Sequence, residues 1–339
     1  MRAVVFTEPG HWELQQRPTP TPGPGQVLLR VEAAGVCGTD LHIFHGRFPA
    51  RFPLVPGHEF AGVAERVGAG VTSIRPGELA AVEPNLPDYT CPRCRSGQYH
   101  LCQNLEAFGV QVDGGFATHC LVPATHAYVV PPELDAEEAA LLEPIGCCLH
   151  GLSRLSIRPG DRVVIIGAGW IGLIMTQLVR MRGVSRLIVS EPKPEKRTWA
   201  ERLGADRVVD PGAEDLRQVV MEETGGLGAE VVIEVVGSAA TAEQALGLVG
   251  DGGTVLLFGV APPEATIPVS PFQVYRREIT ILGSFSLLSN HQDAARLVAG
   301  GQLQVKPLIT GHYPLGEVEF ALNALAQGTA IKSVLLPWR

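Results

Sequence analysis

A chain of 339 residues is long enough for two domains, each with a core of its own. Hydrophobic residues at 45% and charged residues at 18%, with 39 Gly and 27 Pro, describe a globular protein rich in tight turns and exclude a disordered chain. A net charge of -8 without any Lys/Arg run argues against nucleic-acid or anionic-membrane partners.

The start, "MRAVVFTEPG", lacks the charged-then-apolar pattern of a secretory signal, and no apolar stretch is long enough to span a bilayer, so a cytoplasmic protein is expected. In that compartment the 7 cysteines are expected as reduced thiols, and clustered ones as metal ligands or reactive groups rather than disulfides. Up to about Pro144 the chain reads as short strands broken by Gly and Pro: "AVVF", "QVLLRVEAAGV", "FAGVAERVGAGV", "ELAAVEP", "FATHCLVP" and "AYVVP". That texture predicts an antiparallel, barrel-like fold. From "GDRVVIIGAGWIGLIMTQLVRMRG" onward, apolar strands alternate with helical stretches through "RLIVSEP", "KRTWAERLGA", "EVVIEVVGS", "TAEQALGLV" and "GTVLLFGV". Such alternation predicts a parallel sheet with helices on both faces. After "EITILGSFS" the pattern changes again, to a helix "NHQDAARLVAG", an extended "PLITGHYPL", a helix "EVEFALNALAQG" and a last strand "KSVLLP".

Within "VVIIGAGWIG", Gly167, Gly169 and Gly172 stand in G-x-G-x-x-G spacing, with Trp170 and Ile171 between, directly after an apolar strand and at the mouth of a helix. The glycines there serve the tight turn, the approach of backbone to a pyrophosphate and the packing of helix on strand, while the helix N-terminus faces the phosphate. Glu191 ends the next strand about 20 residues on, where an acid takes the ribose hydroxyls and repels a 2′-phosphate. NAD is therefore expected over NADP, a preference that Lys196 and Arg197 soften. Val236 and Gly237 end "EVVIEVVG", and Phe258, Gly259 and Val260 end "TVLLFGV", at the strand ends where open parallel sheets bind ligands.

Two sets of residues have metal-ligand chemistry. "GVCGTDLH", "PGHEFAG" and "LLEPIG" supply Cys37, His58, Glu59 and Glu143, a thiol, an imidazole and carboxylates of the kinds that bind zinc. "DYTCPRCRSGQYHLC" supplies Cys91, Cys94 and Cys102, three thiols of a set that needs a fourth member.

"GHEFAGVAERVGAGV", read as G-H-E-x2-G-x5-G-x2-V, with "CGTDLH" upstream and "GAGWIG" downstream, makes the chain resemble the zinc-dependent medium-chain alcohol dehydrogenases, and among them the sorbitol (polyol) and threonine dehydrogenase branch. The resemblance runs from "MRAVVF" to "KSVLLP". It implies an α/β protein: a GroES-like, mostly antiparallel β catalytic domain over residues 1–147 and 289–339, with a metal lobe near 88–102, and a Rossmann doubly wound parallel sheet over 148–288. The implied catalytic zinc ligands are Cys37, His58 and Glu59. Glu143 falls at the position that is cysteine in the alcohol branch and a carboxylate in the sugar-alcohol branch, and whether Glu59 or Glu143 meets the metal directly stays open. Cys147 and Cys148 are expected as core thiols. Thr39 and His42 match the family's proton relay toward solvent, a pairing suited to it because a hydroxyl both accepts and donates and an imidazole titrates near neutrality. The four-cysteine pattern of the family's structural zinc lobe lays Asp88 on its first place, ahead of Cys91, Cys94 and Cys102, so a second, structural zinc is expected. By family position, Gly283, Ser284 and Phe285 are expected near the nicotinamide.

The implied reaction is transfer of hydride from a secondary alcohol of a polyol to NAD, giving a ketose; threonine, a butanediol-type alcohol or an aldose are the alternative substrates. A zinc-free quinone reductase or a dinucleotide-binding sensor has no use for Cys37, His58 and Glu59 together. Relatives with the lobe commonly form tetramers, so a homotetramer is expected.

Overall fold

The computed structural model describes residues 1–287 and 289–339. Two compact units divide the chain, one of Met1–Gly146 with Leu287–Arg339 and one of Cys147–Ser286. The domain limits expected from the sequence, at 147/148 and 288/289, differ from these by one and two residues.

The first unit is built on a seven-stranded sheet whose path runs Ile309–Tyr313, Lys332–Leu335, Gln26–Gly35, Glu59–Val67, Leu79–Val82 and Ala127–Val129, with His119–Pro123 also paired to Gln26–Gly35. All these pairings are antiparallel except that of Ile309–Tyr313 with Lys332–Leu335. The C-terminal segment therefore completes a sheet begun by the N-terminal part, which is why the sequence texture switches twice. Phe6, Phe60, Phe116, Leu29, Ile43 and Leu54 are buried together in its core, with Val318, Ala321 and Leu322 of the helix Val318–Gln327 closing one side. A hairpin of Arg2–Glu8 and His11–Gln16 stands apart from the main sheet. The second of those strands went unread in the sequence: "HWELQQ" has almost no buried positions, so it carries no alternation of apolar and polar residues to read.

The second unit is a six-stranded sheet in the order Arg207–Val209, Arg186–Ser190, Arg162–Ile166, Ala229–Glu234, Val249–Leu257 and Thr280–Gly283, parallel throughout. In sequence terms this is the order 3-2-1-4-5-6 of a doubly wound dinucleotide-binding sheet. Val163, Val164, Ile165 and Ile166 are all buried, as expected of a central strand covered on both faces. The strand order reverses between Arg162–Ile166 and Ala229–Glu234, and the crevice outside the carboxyl ends of those two strands is where this topology binds ligands. Among the described residues no helix is long and apolar enough to cross a membrane.

Candidate functional site

In the first unit, Cys37 caps the short helix Gly38–Phe44, and His58 and Glu59 lie at the entry of the strand Glu59–Val67. The strand pairing sets Glu59 opposite Gly35, two residues before Cys37, and so brings the two segments together. Their ligand atoms, Cys37 Sγ, a ring nitrogen of His58 and a carboxylate oxygen of Glu59, all lie within 4.8 Å of one another. Ligands held at about 2.0–2.3 Å around a tetrahedral ion have separations inside that span, so the three fit a zinc ion with a position left open. Glu143, at the start of the helix Leu142–Ser153, is buried but outside that group.

Asp40 organises the cluster and was not singled out from the sequence, although it stands inside "CGTDLH". It is fully buried, its Oδ2 accepts from the Cys37 N–H at 2.8 Å, its Oδ1 accepts from the Gly57 N–H at 3.3 Å, and Oδ1 lies 3.5 Å from His58 Nδ1. One carboxylate thus spans the two segments that carry Cys37 and His58. Burial opposes charge on His58, yet the negative charge at Asp40 and Cys37 outweighs it and holds the imidazole well above its usual pKa.

Lys332 is the second residue missed, because it lies on the last strand and no local pattern in the sequence marks it. Its Nζ lies 2.5 Å from Glu59 Oε2 and donates to the Val36 carbonyl at 3.0 Å, and both partners of the ion pair are almost fully buried. Burial lowers the Lys332 pKa, but Glu59 and Cys37 raise it further, so the ammonium stays charged. Gly35 leaves the room that Glu59 occupies: a Cβ at position 35 would lie 2.2 Å from Glu59 Oε2.

Glu143 has its pKa raised to about 7, first by burial and then by the negative charges of Glu59 and Glu83, against the opposing effect of His58 and His291. Glu83 and His291 form a buried pair of their own, with His291 Nδ1 3.4 Å from Glu83 Oε2 and the ring stacked on Tyr128. Thr39 and His42 are half-buried and one turn apart on Gly38–Phe44, on the same face. Burial first, then the charges of Arg47 and His45, lower the His42 pKa and keep its ring neutral at pH 7. Cys148 is buried and Cys147 partly so.

Asp88, Cys91, Cys94 and Cys102 form the second cluster, again with one ligand atom from each within 4.8 Å of the others. Cys91 Sγ lies 3.6 Å from Cys94 Sγ and 3.9 Å from Cys102 Sγ, in contact but unbonded. Backbone N–H groups of Asp88 and Asn104 donate to Cys102 Sγ, the kind of support that thiolate ligands take up. Asp88 Oδ1 accepts from the N–H groups of Thr90 and Cys91, and Oδ2 from the Asn104 side chain at 2.7 Å. These bonds hold its carboxyl well below the usual carboxylate range, so the group is an anion at any physiological pH. Three thiols and an oriented carboxylate make a donor set suited to zinc.

In the second unit, Gly167 follows the strand Arg162–Ile166, and Gly169 caps the helix Trp170–Arg180. A Cβ at Gly172 would lie 2.0 Å from the Gly167 carbonyl oxygen, so only glycine allows the helix to start this close to the turn. Trp170 is buried and Ile171 half-buried. Glu191 is buried at the end of Arg186–Ser190, where its Oε2 accepts from the Ala168 N–H of the glycine turn at 2.8 Å and its Oε1 from the Lys193 N–H at 3.0 Å. Arg197 is committed elsewhere, donating to the carbonyls of Glu191 and Pro192 and pairing with Asp210 at 3.0 Å. Lys196 is half-buried, and burial lowers its pKa against the pull of Glu191. Val236, Val260 and Phe285 are exposed, with Gly259 and Ser284 half-buried beside them in the chain.

Family models cover most of the chain: the alcohol dehydrogenase GroES-like domain matches residues 23–132, and the zinc-binding dehydrogenase model matches residues 171–300. The chain is 36% identical to L-threonine 3-dehydrogenase of Thermococcus kodakarensis, over 99% of this chain and 98% of that one. It is 34% identical to sorbitol dehydrogenase of Halalkalibacterium halodurans, over 99% of each. Its fold matches that of a zinc-binding dehydrogenase from Sinorhizobium meliloti 1021 bound to NADP, with a TM-score of 0.94, 38% identity and 99% of each chain covered.

Proposed function

From its membership of the zinc-dependent medium-chain alcohol dehydrogenase family, to which this chain belongs, we propose that the enzyme oxidises a secondary hydroxyl of a sugar alcohol to a ketone, with NAD as the oxidant. The observation that carries the polyol reading is Glu143, a buried carboxyl at the place where the alcohol branch of the family has a cysteine. Vicinal hydroxyls find acceptors in such a site, and a carboxyl that titrates near pH 7 can take up or give back a proton during turnover.

Zinc held by Cys37, His58 and Glu59 supplies Lewis acidity that lowers the pKa of a hydroxyl, and bound NAD supplies the hydride acceptor. Cys37, His58 and Glu59 are assigned to hold the ion, Asp40 to fix the orientation of His58 relative to Cys37, and Lys332 to keep Glu59 charged and in place. Thr39 and His42 are assigned to carry the proton away from the substrate. A hydroxyl can accept and donate at once, and the neutral His42 ring offers an acceptor at physiological pH. Asp88, Cys91, Cys94 and Cys102 are assigned to a structural zinc. Gly167, Gly169, Trp170, Ile171, Gly172, Glu191, Lys196, Val236, Gly259, Val260, Ser284 and Phe285 are assigned to the cofactor. NAD is favoured over NADP because the Glu191 carboxylate is fixed against the glycine turn and Arg197 is tied to Asp210 rather than free to meet a 2′-phosphate. The proposed assembly is a homotetramer.

Threonine is the second reading, supported by the 36% identical threonine dehydrogenase. The rate of NAD or NADP reduction over sugar alcohols, threonine, butanediol and aldoses tests both: a polyol leading with NAD is expected. Activity confined to threonine or an aldose would overturn the substrate, and activity confined to NADP the cofactor.

A further inference from the structure

Glu234, at the last position of the strand Ala229–Glu234, is 1% exposed at the carboxyl end of the parallel sheet. Its Oε1 accepts three hydrogen bonds at 2.8 Å, from the Val236 N–H, the Gly237 N–H and the Thr241 hydroxyl. Thr241 lies in the first turn of the helix Ala239–Leu248, whose cap Ser238 accepts from the Thr241 N–H. One oxygen therefore closes the turn at residues 235–238 and ties it to the helix that follows.

The same turn is wedged between the loops after two neighbouring strands. On one side Gly167 packs against it, with the Val236 and Val235 side chains 2.8 and 3.1 Å from where a Gly167 Cβ would stand. On the other side a Cβ at Gly259 would lie 2.2 Å from the Gly237 nitrogen and 2.8 Å from Glu234 Oε2, and one at Gly237, where φ is +81°, would lie 2.6 Å from the Val260 oxygen. The Phe258 and Gly259 N–H groups in turn donate to the Glu234 backbone carbonyl. Three successive loops at the topological switch point are thus in backbone contact, and Glu234 joins the middle one to both its own helix and its neighbour.

We infer that Glu234 is a positioning residue that holds the loops at 167–169, 235–238 and 258–260 as a preformed cradle for the dinucleotide. It touches no substrate; it sets the backbone that the cofactor meets. This rests on the assignment of the second unit to cofactor binding. Because all three donors converge on one oxygen, the demand is for one well-placed acceptor rather than for a charge. Glutamine meets that demand and leucine of similar size does not. With leucine the three donors lose their acceptor, the turn leaves its bound-like geometry, and the affinity falls by the fraction of molecules still competent to bind.

The test is isothermal titration of NADH into the full-length, zinc-loaded wild type, Glu234→Gln and Glu234→Leu. Wild type is expected to bind, Glu234→Gln to bind within about threefold of it, and Glu234→Leu to bind about tenfold or more weakly at unchanged stoichiometry. If Glu234→Leu does not fold, Thr241→Val, which removes one donor only, is expected to weaken binding about threefold. An unchanged Kd in Glu234→Leu, or in Thr241→Val where the leucine variant is unfolded, overturns the inference. So does lowered stoichiometry with unchanged Kd, which would mean that Glu234 serves stability alone. Wild type that binds neither NADH nor NADPH would instead overturn the cofactor assignment beneath it.

Discussion

Glu59 shows what a single position demands of distant ones. Its carboxylate is buried with Lys332, drawn from 296 positions beyond Val36, whose carbonyl takes another of the ammonium's hydrogen bonds. Removing one partner of a buried pair leaves an uncompensated charge, so Lys332→Met is expected to lower stability by about 3–5 kcal/mol in denaturant unfolding of the zinc-free protein. A loss below about 0.5 kcal/mol would show that the pair does not hold this part of the fold together. Gly35→Ala forces a methyl into the space that Glu59 Oε2 fills, and is expected to cost about 1–3 kcal/mol while displacing the carboxylate from Cys37 and His58. A Gly35→Ala protein that melts and binds zinc like wild type would refute the close approach. Cys37, His58 and Glu59 were legible because each sits in a motif whose residue types are ligand chemistry. Asp40 could have been found in the same motif from its spacing to Cys37, whereas Lys332 could not, since nothing near it in the chain distinguishes it from a surface lysine.

At the scale of elements, strands and helices with a buried face were legible and exposed or very short ones were not. The strand Arg162–Ile166 and the helix Trp170–Arg180 announce themselves by apolar runs around the glycine turn, and His291–Ala299 and Val318–Gln327 by helical periodicity. Gly38–Phe44, which carries Thr39 and His42, has only seven residues and no periodicity to read; its start is marked instead by Cys37 and Asp40, which form a capping box. The helix Ala136–Ala140 depends on its cap in the same way, with Asp135 accepting from the Glu137 and Glu138 N–H groups. Burial raises the Asp135 pKa, but Lys306 and those N–H groups outweigh it, and the carboxyl titrates below its usual value. A depressed folded-state pKa means that the cap contributes fully above the unfolded carboxylate value of about 4 and fades as the pH falls through the lower folded value. Asp135→Ala is accordingly expected to cost about 1 kcal/mol at pH 7, with the gap to wild type narrowing below about pH 4. A gap that is constant from pH 7 to pH 3 in urea melts would mean that the charge of Asp135 has no part in the cap.

For the whole molecule, the two changes of texture along the chain correspond to its departure from the first unit after Gly146 and its return at Leu287. That organisation is legible because the two sheets differ in kind: an antiparallel sheet with strands punctuated by turns, and a parallel one with strands separated by helices. The substrate is not legible in the same way. It depends on a few side chains around Cys37, His58 and Glu143 whose types suit hydroxyls and an ammonium alike.

The central claim is that one chain assembles two metal sites of different kinds, one for chemistry in Cys37, His58 and Glu59 and one for structure in Asp88, Cys91, Cys94 and Cys102. The most direct test is zinc per chain by mass spectrometry in wild type, Cys37→Ser and Asp88→Ala, each assayed in parallel for NAD reduction. About two ions are predicted in wild type and about one in each variant, with Cys37→Ser losing turnover and Asp88→Ala losing thermal stability first. Wild type with one ion or fewer, or Cys37→Ser that keeps two, would contradict the account.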